Sequence, residues 1–183
     1  MKGLVFVELL KMAELVFGED KVDAILDSVV LPSGGSYTAV GYYDCSELIV
    51  LVYAFSRLSG VARPDLERHF GHWMMNAFKR GYPEFFEKYD TAFDMLEAIE
   101  NDIHIEVRKL YSDAELPSFK TIRNGHADLE LEYTSKNPLA HFCHGLVEGC
   151  LENYGQTAQI NMTNYSSDGS GHAQFRISYN GSH

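Results

Sequence analysis

The sequence predicts an α+β fold, in which an N-terminal helical half is followed by a helix packed on an antiparallel sheet. Up to Tyr111, apolar residues recur at intervals of three and four, which is the spacing of helices with one buried face. After Pro117 the spacing changes, and residues 129–133 (LELEY) alternate between apolar and polar side chains as a strand does. Helices first and a helix-on-sheet unit afterwards are the pattern of the α+β class.

Five helices are predicted in the first half, and most have a start or a stop in the sequence. Gly18 ends the first, and the Pro32-Ser-Gly-Gly35 segment breaks the second. Ser46 is a candidate N-cap for the third, and Pro64 opens the fourth. The predicted helices cover residues 4–16, 21–30, 46–58, 63–81 and 91–111. The last of them places His104 beside an apolar stripe.

The second half is predicted to contain one long helix and three strands. The helix covers residues 138–154, and the strands cover residues 129–133, 158–162 and 173–179. No internal repeat, low-complexity tract or long linker interrupts the sequence. We therefore predict one domain over residues 1–183.

Charge and composition exclude several classes of protein. The chain has 183 residues, of which 45% are hydrophobic and 13% aromatic, enough to build a substantial core. Its net charge of −11 disfavours binding to nucleic acid or to an anionic membrane surface, since both need concentrated Lys and Arg. No signal-peptide pattern is recognised, and no window reaches the roughly 20 apolar residues that a membrane span needs. The expectation is a cytoplasmic protein that binds neither nucleic acid nor membrane.

Cysteine and histidine spacing gives little support to a metal-ion site. Cys45, Cys143 and Cys150 contain no Cys-x-x-Cys pair, so we expect reduced, mostly buried thiols rather than disulfides or structural zinc. His141, Cys143 and His144 would point in different directions on a helix, and His69 with His72 has no obvious third ligand. The sequence also has no Gly-rich phosphate loop, nucleophile elbow or Ser/His/Asp arrangement, so we predict that the protein is not an enzyme.

His104 is the most informative candidate. It lies in residues 101–111 (NDIHIEVRKLY), on a predicted helix with apolar neighbours at helical spacing. A single imidazole is a poor cage for a free metal ion, but it suffices as the one axial ligand of a porphyrin iron, because haem supplies four nitrogens of its own. From spacing alone, a satisfied core or surface histidine is the commoner explanation.

Four segments favour the axial-ligand interpretation of His104 over that of an ordinary core or surface histidine. They are residues 1–3 (MKG), 103–117 (IHIEVRKLYSDAELP), 133–137 (YTSKN) and 145–149 (GLVEG). In this order and spacing they resemble the haem nitric oxide/oxygen binding family, the H-NOX domains, and the resemblance extends from Met1 to about Ile177. It implies haem b (iron protoporphyrin IX) buried between the two halves of the fold. His104 would be the axial ligand of the iron, and Pro117 would be among the residues that contact the haem.

The resemblance also implies a clamp for the haem propionates, and here the chain departs from the family. The family motif is Tyr-x-Ser-x-Arg, and Tyr133 and Ser135 match its first two positions. Asn137 stands where the arginine should be, and a neutral amide cannot form the bidentate, charge-assisted pairs that guanidinium forms with carboxylates. Lys136 is adjacent, but strand alternation directs it to the opposite face. We expect haem binding with a weakened clamp.

The residues that would face the haem opposite His104 are all apolar. By an ungapped comparison with the family they are Val5, Leu9, Met74, Phe78, Phe142 and Leu146. Oxygen-binding relatives have a tyrosine at the position that Phe142 matches, because a hydroxyl donor stabilises the negative character of bound dioxygen. Phenylalanine cannot donate, so the pocket is expected to favour nitric oxide and carbon monoxide. Without the resemblance, these six residues would be read as ordinary core.

The resemblance implies a bacterial gas sensor that binds nitric oxide at a five-coordinate ferrous haem and regulates a separate signalling protein. By family analogy, that partner is a histidine kinase or a cyclic-di-nucleotide enzyme. Two alternatives stay open. A haem-dependent peroxidase or oxygenase would need a distal acid/base or hydrogen-bonding residue, and an interaction module would have lost much of its haem affinity through Asn137.

Overall fold

The computed structural model describes residues 1–167 and 169–179, so residues 168 and 180–183 of the predicted span 1–183 lie outside the described residues. Within the described part there are eight α-helices, one π-helical turn and four strands. The helices are α1 (Gly3–Phe17), α2 (Glu19–Ser28), α3 (Cys45–Ser59), α4 (Arg63–Gly81), α5 (Pro83–Glu87), α6 (Ala92–Ala98), α7 (His104–Leu110) and α8 (Ala140–Asn153). The π-helical turn covers Ile99–Ile103, and the strands are β1 (Ser118–Asn124), β2 (Asp128–Ser135), β3 (Ala158–Asn164) and β4 (Gly171–Tyr179).

The predicted architecture is confirmed, because the N-terminal helices are followed by α8 packed on a four-stranded antiparallel sheet. The strands lie in the order β1-β2-β4-β3. In the register of the central strand β2, Tyr133 lies opposite Phe119 on one side and Ala173 on the other. Alternate residues of β2, namely Leu129, Leu131 and Tyr133, are buried, as the apolar alternation predicts.

Two elements were missed by the sequence pattern. The helix predicted over residues 63–81 is followed at once by the short helix α5, which Pro83 opens, because proline fits the first turn, where its missing N–H has no helical partner. Strand β1 lies at an edge of the sheet, none of its residues is fully buried, and its Ile122 is 61% exposed. Its apolar alternation is therefore too weak to predict a strand.

The helix predicted over residues 91–111 is divided in the structure. Thr91 caps α6, and its hydroxyl accepts a hydrogen bond from the Asp94 backbone N–H at 3.2 Å. The π-helical turn then separates α6 from α7, so that His104 is the first residue of α7. A π-helical turn widens the hydrogen-bonded ring by one residue, and such turns are frequent at functional sites. The turn changes the direction of the side chains that precede His104.

The N-cap of α3 also differs from the prediction. Ser46 is not the cap, because α3 begins at Cys45 and the cap is Asp44. The Asp44 carboxylate accepts the backbone N–H of Ser46 at 2.7 Å. Aspartate and serine are both favoured caps, so the pattern alone does not choose between neighbours.

Two apolar cores divide the molecule, and they meet at two side chains. One core is formed by α1, α2, α3 and α4, with Phe6, Leu48, Phe55 and Phe70 fully buried at its centre. The other lies between α8, α6 and the sheet. Phe78 and Leu146 pack against both cores. The three cysteines are free and buried, one in the first core and two in the second.

Helices α4 and α8 link the two cores by a very close crossing. A Cβ at Gly145 would overlap the carbonyl oxygen of Arg68 and lie 2.8 Å from the backbone nitrogen of His72. A Cβ at Gly71 would overlap the carbonyl oxygen of Phe142. Glycine at both positions therefore lets the two backbones touch.

No single helix in residues 1–167 and 169–179 is long and apolar enough to cross a membrane. Helices α3 and α4 reach the length and apolar composition of a membrane span only when taken together, and the chain bends by 113° between them.

Candidate functional site

His104 is a buried imidazole at the start of α7. It is 8% exposed, and its ring centroid lies 5.7 Å from that of Phe119 on β1. The Phe119 ring in turn lies 5.7 Å from the ring of Tyr133 on β2. The register of β1 against β2 therefore places an aromatic ring between the two predicted site residues.

The ring nitrogen Nδ1 of His104 is buried and has no aligned hydrogen-bond partner among the described residues. The nearest charged group is Glu100 Oε2, at 3.4 Å. A buried polar atom without a partner is costly in a folded protein and calls for an explanation. Here it marks the imidazole as a group that is not satisfied by the core around it.

Burial sets the protonation state of His104. It lowers the pKa of the imidazole below its usual range, and the carboxylate of Glu100 opposes part of that shift. For Glu100 itself, burial acts to raise the pKa, but the Phe119 N–H, His104 and Arg108 outweigh it, so that the pKa is lowered. At neutral pH the site therefore holds a neutral imidazole, the form that binds a metal, beside a charged carboxylate.

The structure brings the six apolar candidates together. Leu9 on α1 and Met74 on α4 are fully buried members of the first core. The other four are half-buried and pack against that same core: Val5, Phe78, Phe142 and Leu146. Phe78 and Leu146 also contact the second core, so these two lie where the cores meet, whereas the other four contact the first core only.

Tyr133, Ser135 and Asn137 lie together at the end of β2. Burial raises the pKa of Tyr133, so its hydroxyl keeps its proton, and it donates to the carbonyl oxygen of Asn137 at 3.4 Å. Ser135 Oγ accepts the Asn137 backbone N–H at 3.1 Å. Strand β2 ends at Ser135, so the alternation used to orient Lys136 does not extend to it; its side chain is 82% exposed and its Nζ lies 3.2 Å from Glu115 Oε1. Pro117 is half-buried, just before β1.

Two neighbours of His104 were not singled out by the sequence. Glu100 stands four residues before His104, a spacing that brings side chains together on a helix and could have drawn attention to it. Phe119 had no such signal, because its contact with His104 depends on strand β1 and its register.

Two histidines of the other clusters lie beside carboxylates. His72 Nε2 contacts Glu152, and His144 Nε2 lies 3.8 Å from Glu148, which forms an ion pair with Arg68. Within residues 1–167 and 169–179, no group of three or more His, Cys, Asp or Glu side chains could hold a metal ion. The contacts of Arg68 with Glu148 and of His72 with Glu152 join α4 to α8.

Comparison with known proteins decides the family. The haem-NO-binding (HNOB) family model matches residues 2–162 of the chain. The chain belongs to the H-NOX family. Among curated protein sequences, none matches it significantly.

Solved H-NOX structures resemble the chain over its whole length. The Fe(II) unliganded H-NOX protein from K. algicida is 34% identical with a TM-score of 0.93, over 100% of this chain and 98% of that one. The IWP-051-bound H-NOX from Shewanella woodyi, in the Fe(II)CO ligation state, is 39% identical with a TM-score of 0.82, over 98% and 94%. An H-NOX protein from S. oneidensis in the Fe(II)NO ligation state is 24% identical with a TM-score of 0.88, over 99% and 100%, which shows the shared fold.

The residues of this H-NOX chain fit the haem that its family binds. His104 offers a neutral imidazole whose Nδ1 has no aligned partner among the described residues, and the six apolar side chains belong to or pack on the first core, two of them where it meets the second. Tyr133 and Ser135 offer hydroxyl groups that can bind carboxylates. The donor set therefore suits an iron porphyrin with two propionates, with Asn137 as the one member that lacks the expected charge.

Proposed function

We propose that this protein is a non-catalytic sensor that binds haem b through His104 and takes up nitric oxide on the opposite face. Residues 1–183 would form one haem-binding domain, with the haem between the two cores. The observation that carries the proposal is the buried, neutral imidazole of His104, in a chain whose family binds haem.

The proposed distal residues would select the gas. A ferrous haem held by His104 would supply an iron that binds a diatomic gas, and binding of nitric oxide would weaken the hold of the iron on His104. Leu9, Met74 and Phe142 have no hydrogen-bond donor in their side chains, so they cannot stabilise the negative charge of bound dioxygen. Nitric oxide and carbon monoxide need no such donor.

The same residues count against a haem enzyme. A peroxidase or oxygenase needs a side chain beside the iron that moves a proton or donates a hydrogen bond. All six proposed distal residues are apolar, and none can do either. We therefore propose a sensor, whose output is a change of shape rather than a reaction.

Release of His104 would free α7 to move against the N-terminal half. The contacts at the far end of α7 show how such a movement would be passed on. Tyr111, which follows α7, packs on Lys2 with Nζ 4.2 Å from its ring centroid, and Lys2 lies at the same distance from the ring of Tyr42. The Tyr111 hydroxyl also lies 3.2 Å from that of Tyr82, at the end of α4. A shift of α7 would therefore alter contacts at the start of α1 and the end of α4, and a histidine kinase or cyclic-di-nucleotide enzyme bound there would respond.

Nitric oxide is expected to loosen α7 more than carbon monoxide does. A ligand shifts an equilibrium only by binding one state better than the other, and carbon monoxide usually leaves the histidine attached. Hydrogen–deuterium exchange of the ferrous protein should show faster exchange in residues 104–111 with nitric oxide than with carbon monoxide. Carbon monoxide should likewise be the weaker effector of the partner. Equal exchange with the two gases would rule out release of His104 as the signal.

Asn137→Arg is expected to slow haem loss. A charge-assisted hydrogen bond contributes about 1.5–3 kcal/mol, so restoring one propionate partner should slow transfer of haem to apomyoglobin about tenfold or more. The axial bond and the apolar burial of the porphyrin supply most of the affinity, so the natural chain should still bind haem.

Lys136→Ala is the matched control for this experiment, because the Lys136 side chain is exposed and pairs with Glu115. It should change the rate little. An unchanged rate in Asn137→Arg together with a marked loss in Lys136→Ala would show that Lys136 serves as the clamp cation.

A further inference from the structure

We propose that Glu100 is a positioning residue for His104, and that its carboxylate accepts the Nδ1–H of the imidazole so that the other ring nitrogen, Nε2, faces the iron. This inference rests on the proposed function of His104 and adds a residue that sets the strength of its bond.

The geometry leaves Glu100 as the charged acceptor nearest to that proton. Glu100 Oε2 lies 3.4 Å from His104 Nδ1, and Nδ1 is buried without any aligned hydrogen bond among the described residues. The distance is at the outer limit of a hydrogen bond, and small rotations of the carboxylate and the ring can close it. Hydrogen bonds at functional groups are often long before the ligand is bound and tighten afterwards.

The carboxylate of Glu100 is held in place from two other elements. Its Oε2 accepts the backbone N–H of Phe119 on β1 at 3.2 Å, and its Oε1 lies 3.4 Å from Arg108 Nη2 on α7. Glu100 itself belongs to the π-helical turn. Three elements therefore fix the position of one carboxylate beside the imidazole, and the side chain is only 28% exposed.

The hydrogen bond would select the tautomer that can bind iron. A free neutral imidazole prefers its proton on Nε2, which would block that nitrogen as a ligand. An acceptor at Nδ1 draws the proton to the other side, and metal-binding histidines commonly donate their second N–H to a carboxylate for this reason. The same bond makes the ring more basic and strengthens its bond to the metal. Glu100 would therefore set how readily His104 is released when nitric oxide binds.

The test compares Glu100→Leu and Glu100→Gln with the wild-type chain, and Glu106→Gln is the matched control. Glu106 is a carboxylate on α7, close in sequence to Glu100, but it pairs with Lys109 at 2.6 Å. The first readout is the ¹⁵N NMR tautomer of His104 in haem-free protein. The second is the iron–histidine stretching frequency of the ferrous protein by resonance Raman spectroscopy.

In wild-type protein we expect the proton on Nδ1. Glu100→Leu should move it to Nε2, lower the stretching frequency and speed haem loss about tenfold, since outer-shell partners typically change metal affinity by 10–100-fold. Glu100→Gln places a neutral acceptor of the same shape beside the ring, so its stretching frequency and its rate of haem loss should lie between those of wild type and of Glu100→Leu. Glu106→Gln should match wild type in all three readouts.

An unchanged tautomer and an unchanged frequency in Glu100→Leu would overturn the proposal. If the leucine variant does not fold, a frequency in Glu100→Gln equal to that of wild type would do the same. The tautomer is measured without haem, so a wild-type chain that binds no haem would refute the proposed function while this readout still decides the role of Glu100.

Discussion

We expect His104→Gly to abolish stable haem binding and free imidazole to restore part of it. Glycine would remove the one proposed protein ligand of the iron and leave a space in which an external imidazole could take the same position. The measurement is the haem content of purified protein, by absorbance at the Soret band relative to protein concentration, with and without imidazole.

His126→Gly is the control for this experiment, because His126 is an exposed histidine in the turn between β1 and β2. It should retain the haem content of wild type. Full haem occupancy of His104→Gly in the absence of imidazole would show that His104 is not the axial ligand.

The second large effect is expected at the crossing of α4 and α8. A methyl group at Gly145 would overlap the Arg68 carbonyl oxygen and lie 2.8 Å from the His72 nitrogen, and both of these atoms belong to backbone that cannot rotate aside. Overpacking of this kind typically costs about 1–3 kcal/mol, and because the two helices must separate we expect Gly145→Ala to lose about 3 kcal/mol. Urea denaturation followed by circular dichroism measures the free energy of unfolding.

Gly81→Ala provides the comparison. Gly81 is also a helical glycine, and nothing lies within 4 Å of the position its Cβ would take. Alanine is favoured over glycine in a helix by about 0.5–1 kcal/mol, so this variant should be slightly more stable. A Gly145→Ala variant as stable as wild type would show that α4 and α8 are not held at this distance.

Local patterns predict those parts of the fold that depend on local physics. The alternation of β2 gives its buried face directly, whereas the apolar spacing of α1 predicts the helix but not the end of its buried face, since Leu15 and Val16 are 74% and 64% exposed. Strand β1 could not be found in this way, because it is stabilised by pairing with β2 rather than by an apolar face of its own. The π-helical turn could not be predicted either, since a single extra residue in one turn does not change the helical spacing of apolar residues enough to be recognised.

The same division applies to the site. His104 could be singled out because a lone helical imidazole in residues 101–111 resembles a family pattern. The burial of His104 and its unpartnered Nδ1 could not be predicted from the sequence, because they depend on how α7 packs against β1. Phe119 is an ordinary aromatic residue in the sequence, and only the strand register places it beside both His104 and Tyr133.

The absorption spectrum of the ferrous protein tests whether its proposed haem binds nitric oxide and carbon monoxide but not dioxygen. Protein expressed with adequate haem is reduced without air, and its spectrum is recorded alone and with each of the three gases. We expect a Soret band that shifts with nitric oxide and with carbon monoxide, and no stable oxygen complex in air, because Leu9, Met74 and Phe142 provide no donor. A chain without a Soret band, or a persistent oxygen-bound spectrum in air, would contradict the account.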